Sequence, residues 1–385
     1  MRENAPVNLS DLLLLGHGSD LASERGVSCD GQLPAASDPD LVERARAARK
    51  ALGSNALILG HHYQRNEVIE FADITGDSFK LAQEAAKAGE VENIIFCGVH
   101  FMAESADILT SDKQKVILPD LAAGCSMADM ATANQVSKCW EELSSIDVAQ
   151  EVIPVTYMNS SAAIKSFTGE HGGTICTSSN AEAAMNWAFT QGSKILFLPD
   201  QHLGRNTAVL SLGLSIEDCV LWNPWKPMGG LTEEQIRKAK VILWRGHCSV
   251  HGRFSIESVN EIRSRVPGVQ ILVHPECTHE VVRAADRVGS TEKIIKIVEQ
   301  SPAGSKWAIG TELNLVQRIS QNNPDKEIYF LDKDVCYCST MNRIDLPHLV
   351  WAMESLVSGT VVNQIRVTPE VAKYSKLALE RMLAL

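Results

Sequence analysis

Three times along the chain a short apolar run ends in a cluster of polar residues, and no other feature limits the possible folds as tightly. Leu57-Ile-Leu-Gly-His61, Val155-Thr-Tyr157-Met-Asn159 and Ile271-Leu-Val-His274-Pro-Glu276 begin three blocks. Second strands are expected at 94–97, 174–177 and 307–310, and third strands at 116–120, 196–200 and 328–332. The endings Leu-Pro-Asp120, Leu-Pro-Asp200 and Leu-Asp332 echo one another. Helical patterns separate the runs, and strands alternating with helices are the mark of parallel α/β units. A repeat on this scale predicts three similar units about a pseudo-threefold axis. The plainer alternative is an α/β chain whose strands happen to recur at such intervals.

In parallel sheets, ligands bind outside the carboxyl ends of strands. The polar residues His61, Tyr63, Tyr157, Asn159, His274 and Glu276 cluster just there, so three converging sheets would share one pocket. Residues 1–38 lack sustained periodicity and read as a loose extension, whereas 38–52 reads as a helix capped by Asp38 or Asp40. The net charge of −11 makes non-specific nucleic-acid binding a poor expectation. No apolar run approaches the roughly 18 residues of a membrane span. Glu3 and Asp11 argue against a signal or transit peptide, so a cytoplasmic protein with mostly reduced cysteines is expected.

Ten cysteines are present. Cys97 and Cys176 continue apolar strands and read as small buried hydrophobes. Three others follow strands on loops: Cys125 past Asp120, Cys338 past Asp332, and Cys248 past the run Val241-Ile-Leu-Trp244. Three thiolates brought to one axis suit a [4Fe-4S] cluster with one iron free of protein ligands. Such an open position is what Lewis-acid chemistry requires. No short Cys-x-x-Cys pair supports this, so scattered buried thiols remain an alternative. A zinc site built on Cys248-Ser-Val-His251 is another. The Cys336-Tyr-Cys338 pair is a possible redox or metal pair by itself.

Three helix starts carry hydroxyls: Gly-Asp77-Ser78, Thr177-Ser178-Ser179-Asn180 and Gly-Ser290-Thr291. Ser179 and Glu182 stand at capping-box spacing. Each start is an ordinary N-cap taken alone. Three of them beside one pocket point to substrates with several negative charges. Glu276 is the natural general base, with an apolar setting expected to raise its pKa, and Tyr63 and Tyr157 can donate to a developing oxyanion. His61 and His62 point to opposite sides of an extended segment, so one of them lines the pocket. The Trp222-Asn-Pro-Trp stretch is expected to pack rather than bind.

From about residue 40 to the C-terminus the chain resembles the quinolinate synthase (quinolinate synthetase A) family, which closes the pyridine ring in NAD biosynthesis. The resemblance is carried by Gly-His61-His-Tyr63-Gln, Gly-Asp77-Ser78, Gly-Val-His-Phe101-Met-Ala-Glu104 and Leu-Pro-Asp-Leu-Ala-Ala-Gly-Cys125-Ser-Met. It continues in Tyr157-Met-Asn159-Ser-Ser, Cys-Thr-Ser178-Ser-Asn, Leu-Pro-Asp-Gln-His202-Leu-Gly-Arg-Asn, Gly-His-Cys248-Ser-Val-His, Val-His274-Pro-Glu276, Gly-Ser290-Thr291 and Cys338-Ser-Thr-Met-Asn.

The resemblance implies three α/β/α sandwich domains with short parallel sheets around a central active site. The boundaries it suggests are 39–135, 136–240 and 241–344, with helices in 345–385 packing back on the first domain. It implies one [4Fe-4S] cluster per chain on Cys125, Cys248 and Cys338. It also implies condensation of iminoaspartate with dihydroxyacetone phosphate, giving quinolinate, phosphate and two waters. The imine would come from an L-aspartate oxidase or dehydrogenase. By the same likeness His61, Ser78, Ser178, Ser290 and Thr291 bind carboxylates or phosphate. Tyr63, Tyr157, Asn159, His274 and Glu276 orient intermediates and move protons.

His62, the extension 1–38 and the insertion 223–232 depart from the family pattern, and Cys338 fits it better than Cys336. Two readings of other classes compete: a non-enzymatic iron–sulfur sensor or scaffold, which needs no anion-binding helix starts, and a zinc-dependent hydrolase built on Cys248 and His251.

Overall fold

The computed structural model describes residues 33–333 and 337–385. Cys29 and Cys336 lie outside the described residues. Three parallel sheets carry the structure. The first contains β1 (Ala56–His61), β2 (Ile74–Gly76), β3 (Asn93–Cys97) and β4 (Lys115–Ile117). The second contains β5 (Val152–Tyr157), β6 (Thr174–Cys176), β7 (Lys194–Leu198), β8 (Cys219–Trp222) and β9 (Val241–Trp244). The third contains β10 (Gln270–Val273), β11 (Arg287–Val288), β12 (Lys306–Gly310) and β13 (Glu327–Phe330). A last strand, β14 (Gln364–Ile365), runs antiparallel to β4.

The sheets share one plan. Their orders are β2-β1-β3-β4, β6-β5-β7-β9 and β11-β10-β12-β13, with β14 and β8 added at outer edges of the first two. Central strands are apolar on both faces, as Ile94-Ile-Phe-Cys97, Ile195-Leu-Phe-Leu198 and Val241-Ile-Leu-Trp244 are all buried. Such runs suit strands covered by helices on both sides.

This order corrects the alignment of the repeat. Residues 174–177 were expected to match 94–97 and 307–310. Thr174–Cys176 is instead the edge strand of its sheet, equivalent to β2 and β11. Lys194–Leu198 is the third strand and Val241–Trp244 the fourth, so the two Leu-Pro-Asp echoes follow non-equivalent strands. The corrected alignment strengthens the symmetry, because each of Cys125, Cys248 and Cys338 now follows the fourth strand of its own sheet.

The first two sheets share one continuous apolar core, and the third sheet has its own clusters on its two faces. The C-terminal segment divides between two sheets. Helix Leu346–Val357 packs on Leu41–Leu52, where Arg44 forks onto Glu354 at 2.8 and 2.7 Å. Helix Pro369–Ala384 lies on Ala162–Glu170 beside the second sheet, with Ser375 Oγ donating to the Ala162 carbonyl at 2.8 Å. Trp222, just before the insertion, is buried while Trp225 within it is exposed. No helix among the described residues is long and apolar enough to cross a membrane.

The contact between Ala162–Glu170 and the last helix leaves no room at Gly169, where a Cβ would stand 1.9 Å from the Tyr374 carbonyl oxygen. Backbone cannot yield as a flexible side chain does. Gly169→Ala is therefore expected to destabilise the fold by about 1–3 kcal/mol, read as a lower thermal midpoint; an unchanged midpoint would contradict this packing.

Candidate active site

The first strands β1 and β5 and the residue after β10 end in His61, Tyr157 and His274, which occupy equivalent places. Register shows this: His61 pairs with Gly76 and Tyr157 with Cys176, while the pairing Val273–Val288 sets His274 opposite Gly289. Two residues on stand Tyr63, Asn159 and Glu276. All six line one central cavity. The edge strands repeat the pattern. Ser78, Ser178 and Thr291 stand two residues past Gly76, Cys176 and Gly289, and all three line the same cavity at helix starts. Ser290 is placed differently. It is buried but lines a neighbouring cleft with Ser179, Glu182 and Lys293. The expected Ser179–Glu182 capping box does not form. Asn180 is the N-cap, and Ser179 Oγ donates instead to Asp77 Oδ2 at 2.9 Å, joining helices of two sheets.

Cys125, Cys248 and Cys338 line the same cavity, with Phe101, Met127, Val250 and Met341. They are free thiols. Burial pushes Cys125 up to about 12, Cys248 well above its ordinary value, and Cys338 upward. Bare thiolates are thus disfavoured there, and a cationic core is what would stabilise three of them together. Three sulfur donors with an apolar shell fit an iron–sulfur cluster.

A hydrogen-bonded chain that touches all three sheets also borders the cavity, and its His251 and Glu276 come within 4.8 Å of the Cys248 sulfur. Tyr157 Oη donates to Glu276 Oε1 at 2.5 Å, and His251 Nδ1 meets Glu276 Oε2 at 2.8 Å. His251 Nε2 meets Thr311 Oγ1 at 3.1 Å, Thr311 meets Tyr63 Oη at 3.0 Å, and Tyr63 meets Thr291 Oγ1 at 3.2 Å. A carboxylate only accepts, so His251 carries its proton on Nδ1 and accepts on Nε2.

The expectation of a raised Glu276 pKa is overturned. Burial does oppose its charge, but the adjacent His251 and His274, with hydrogen bonds from His251 and Tyr157, hold the carboxyl below the usual range. Burial and the Glu276 charge keep both tyrosines protonated, well above their ordinary values.

His61 and His274 use one device. Each Nδ1 accepts from the backbone N–H two residues on, at 3.1 and 3.3 Å. This leaves Nε2–H as a donor, which His274 directs at Ser178 Oγ at 3.2 Å. Burial lowers both to about 3, so they are neutral donors at pH 7. Asn159 Oδ1 is buried without a partner among the described residues, a polar atom left for a ligand. His62 turns away and meets Glu292 at 3.0 Å.

Several working residues were not singled out from the sequence. His251 was considered only as a zinc ligand. Its sulfur and carboxylate neighbours Cys248 and Glu276 do lie with it inside 4.8 Å, yet both its nitrogens are already engaged. Buried carboxylates follow the third strands of two sheets and hold cysteine loops. Glu312 Oε1 accepts the Cys338 N–H at 3.4 Å, and Asp200 forms a backbone bridge to Gly246, two residues before Cys248. Their signal was an acid directly after a third strand.

Comparison with known proteins agrees with this site. The sequence profile of the quinolinate synthetase A protein family matches residues 43–384. The quinolinate synthase of Streptomyces coelicolor is 70% identical over 97% of this chain and 95% of its own. That of a Nocardioides species is 69% identical over 97% of this chain and 96% of its own. That of Bacillus subtilis is 54% identical over 90% and 93%. On this match, which spans nearly all of the described residues, the chain belongs to the quinolinate synthetase A family.

Proposed function

We propose that the chain forms quinolinate from iminoaspartate and dihydroxyacetone phosphate, releasing phosphate and two waters, with a [4Fe-4S] cluster on Cys125, Cys248 and Cys338. The observation that carries this reading is one cavity that holds three thiols beside neutral donors and a proton relay. When bound, the cluster supplies an iron without a protein ligand, a Lewis acid for a substrate oxygen that leaves as water.

The chain's own groups do the rest. Ser78, Ser178 and Thr291, in the first turns or entry loops of three helices, take carboxylates and phosphate, where free N–H groups favour anions. His61 and His274 donate to the same anions without adding charge. Asn159 holds a polar group through its unpartnered oxygen. Tyr157 and Tyr63 sit at the two ends of the relay through Glu276, His251 and Thr311. Every donor in the chain points toward Glu276, so a proton entering at either hydroxyl is held at this carboxylate and given back along the same path, as enolisation and dehydration require. Ser290 belongs to the anion-binding set only if a substrate reaches the adjoining cleft.

The labile imine is supplied by an enzyme that oxidises L-aspartate, an oxidase or a dehydrogenase. We place the reaction in the cytoplasm, where the eight described cysteines persist as thiols. A sensor or scaffold would have no use for the relay, and a zinc hydrolase would need His251 released from it.

Anaerobic assay of quinolinate formation from the two substrates tests the reading, and a chain with its cluster but no product would refute it. Single Cys125→Ser, Cys248→Ser and Cys338→Ser changes are expected to abolish iron retention, while Cys139→Ala and Cys219→Ala keep it; equal loss across all five would contradict the ligand assignment. Glu276→Gln is expected to keep the cluster and lose about 10²–10⁴-fold in turnover, measured as kcat for quinolinate release. Turnover at the level of the unaltered chain would remove Glu276 from the relay.

A further inference from the structure

The three cysteine loops are tied to one another in a closed ring. Trp244 stands four residues before Cys248, and its indole Nε1 donates to the carbonyl of Met130, five residues past Cys125, at 2.7 Å. His251, three residues past Cys248, meets Thr311 at 3.1 Å, and the next residue, Glu312, accepts the Cys338 N–H at 3.4 Å. Arg343, five residues past Cys338, donates Nε to Asp120 Oδ2 at 2.8 Å, and Asp120 lies five residues before Cys125. Trp244, His251, Glu312 and Asp120 are all buried. The Trp244, His251 and Arg343 bonds each run between elements of different sheets, while the Glu312–Cys338 bond stays within the third; none is part of a sheet's own strand pairing.

We propose that this ring sets the span between the three sulfurs and keeps it, making Trp244, Arg343 and Asp120 positioning residues for the cluster. The inference rests on the cluster reading above. Loops free to separate would have to be ordered when the cluster binds, and that cost is removed when the span is fixed beforehand. The Trp244 tie is neutral and the Arg343–Asp120 tie is internally paired, so these two add no net charge against three thiolates. Groups that orient metal ligands from behind typically change metal retention about 10–100-fold when removed.

The test is cluster loss from the full chain, loaded anaerobically and challenged with a chelator. It is followed by visible absorbance and iron content, beside the thermal midpoint of the cluster-free chain. Arg343→Gln and Trp244→Phe are each expected to lose the cluster about 10-fold faster, and the double variant faster than either. Arg343→Lys is expected to recover part of the retention. Arg44→Gln breaks the Glu354 fork far from the cysteine loops and is expected to leave the loss rate unchanged. If Trp244→Phe does not fold, Arg343→Gln decides alone. Loss at the unaltered rate in Arg343→Gln, or equal acceleration in Arg44→Gln, overturns the ring. An unaltered chain that takes up no iron overturns the cluster reading itself.

Discussion

The side-by-side pairing of each first strand with its edge strand is the constraint on which the rest of the structure depends. In each sheet it brings the end of one strand level with the entry to a helix. The period of two along extended chain then puts residues n and n+2 on one face. His61 and Tyr63, Tyr157 and Asn159, His274 and Glu276 thus enter the same cavity as Ser78, Ser178 and Thr291. A slip of one residue in any of these pairings would turn two of those groups into the helices behind.

Burial sets the chemistry of these groups. It strips the thiols of charge unless a cation accompanies them, and it keeps His61 and His274 neutral. Glu276 is the exception, because its two oxygens are engaged by Tyr157 and His251. A carboxylate held that firmly serves better to orient and relay than to strip a proton from carbon unaided. The cavity therefore sets three thiols directly beside neutral donors and a directed hydrogen-bond chain.

The first-strand exits and the helix starts were legible because local patterns fix them. An apolar run names the strand, and two-residue spacing names the face. The alignment of the second block was not legible, because edge strands of two or three residues such as Arg287–Val288 leave no periodicity to read. The repeated Leu-Pro-Asp then drew Leu198-Pro-Asp200 to the wrong counterpart. Thr311 and Arg343 act through partners far away in sequence, and nothing local distinguishes them from ordinary loop residues. The direction of the Glu276 shift was misread for the same reason, since its neighbour His251 arrives from another sheet's exit loop.

The central claim is that sulfurs from three sheets grip one polynuclear core. Anomalous scattering at the iron edge from crystals grown without oxygen measures this directly. The account predicts one strong multi-iron feature bounded by the Sγ atoms of Cys125, Cys248 and Cys338. A single ion seated on Cys248, His251 and Glu276 instead would contradict it.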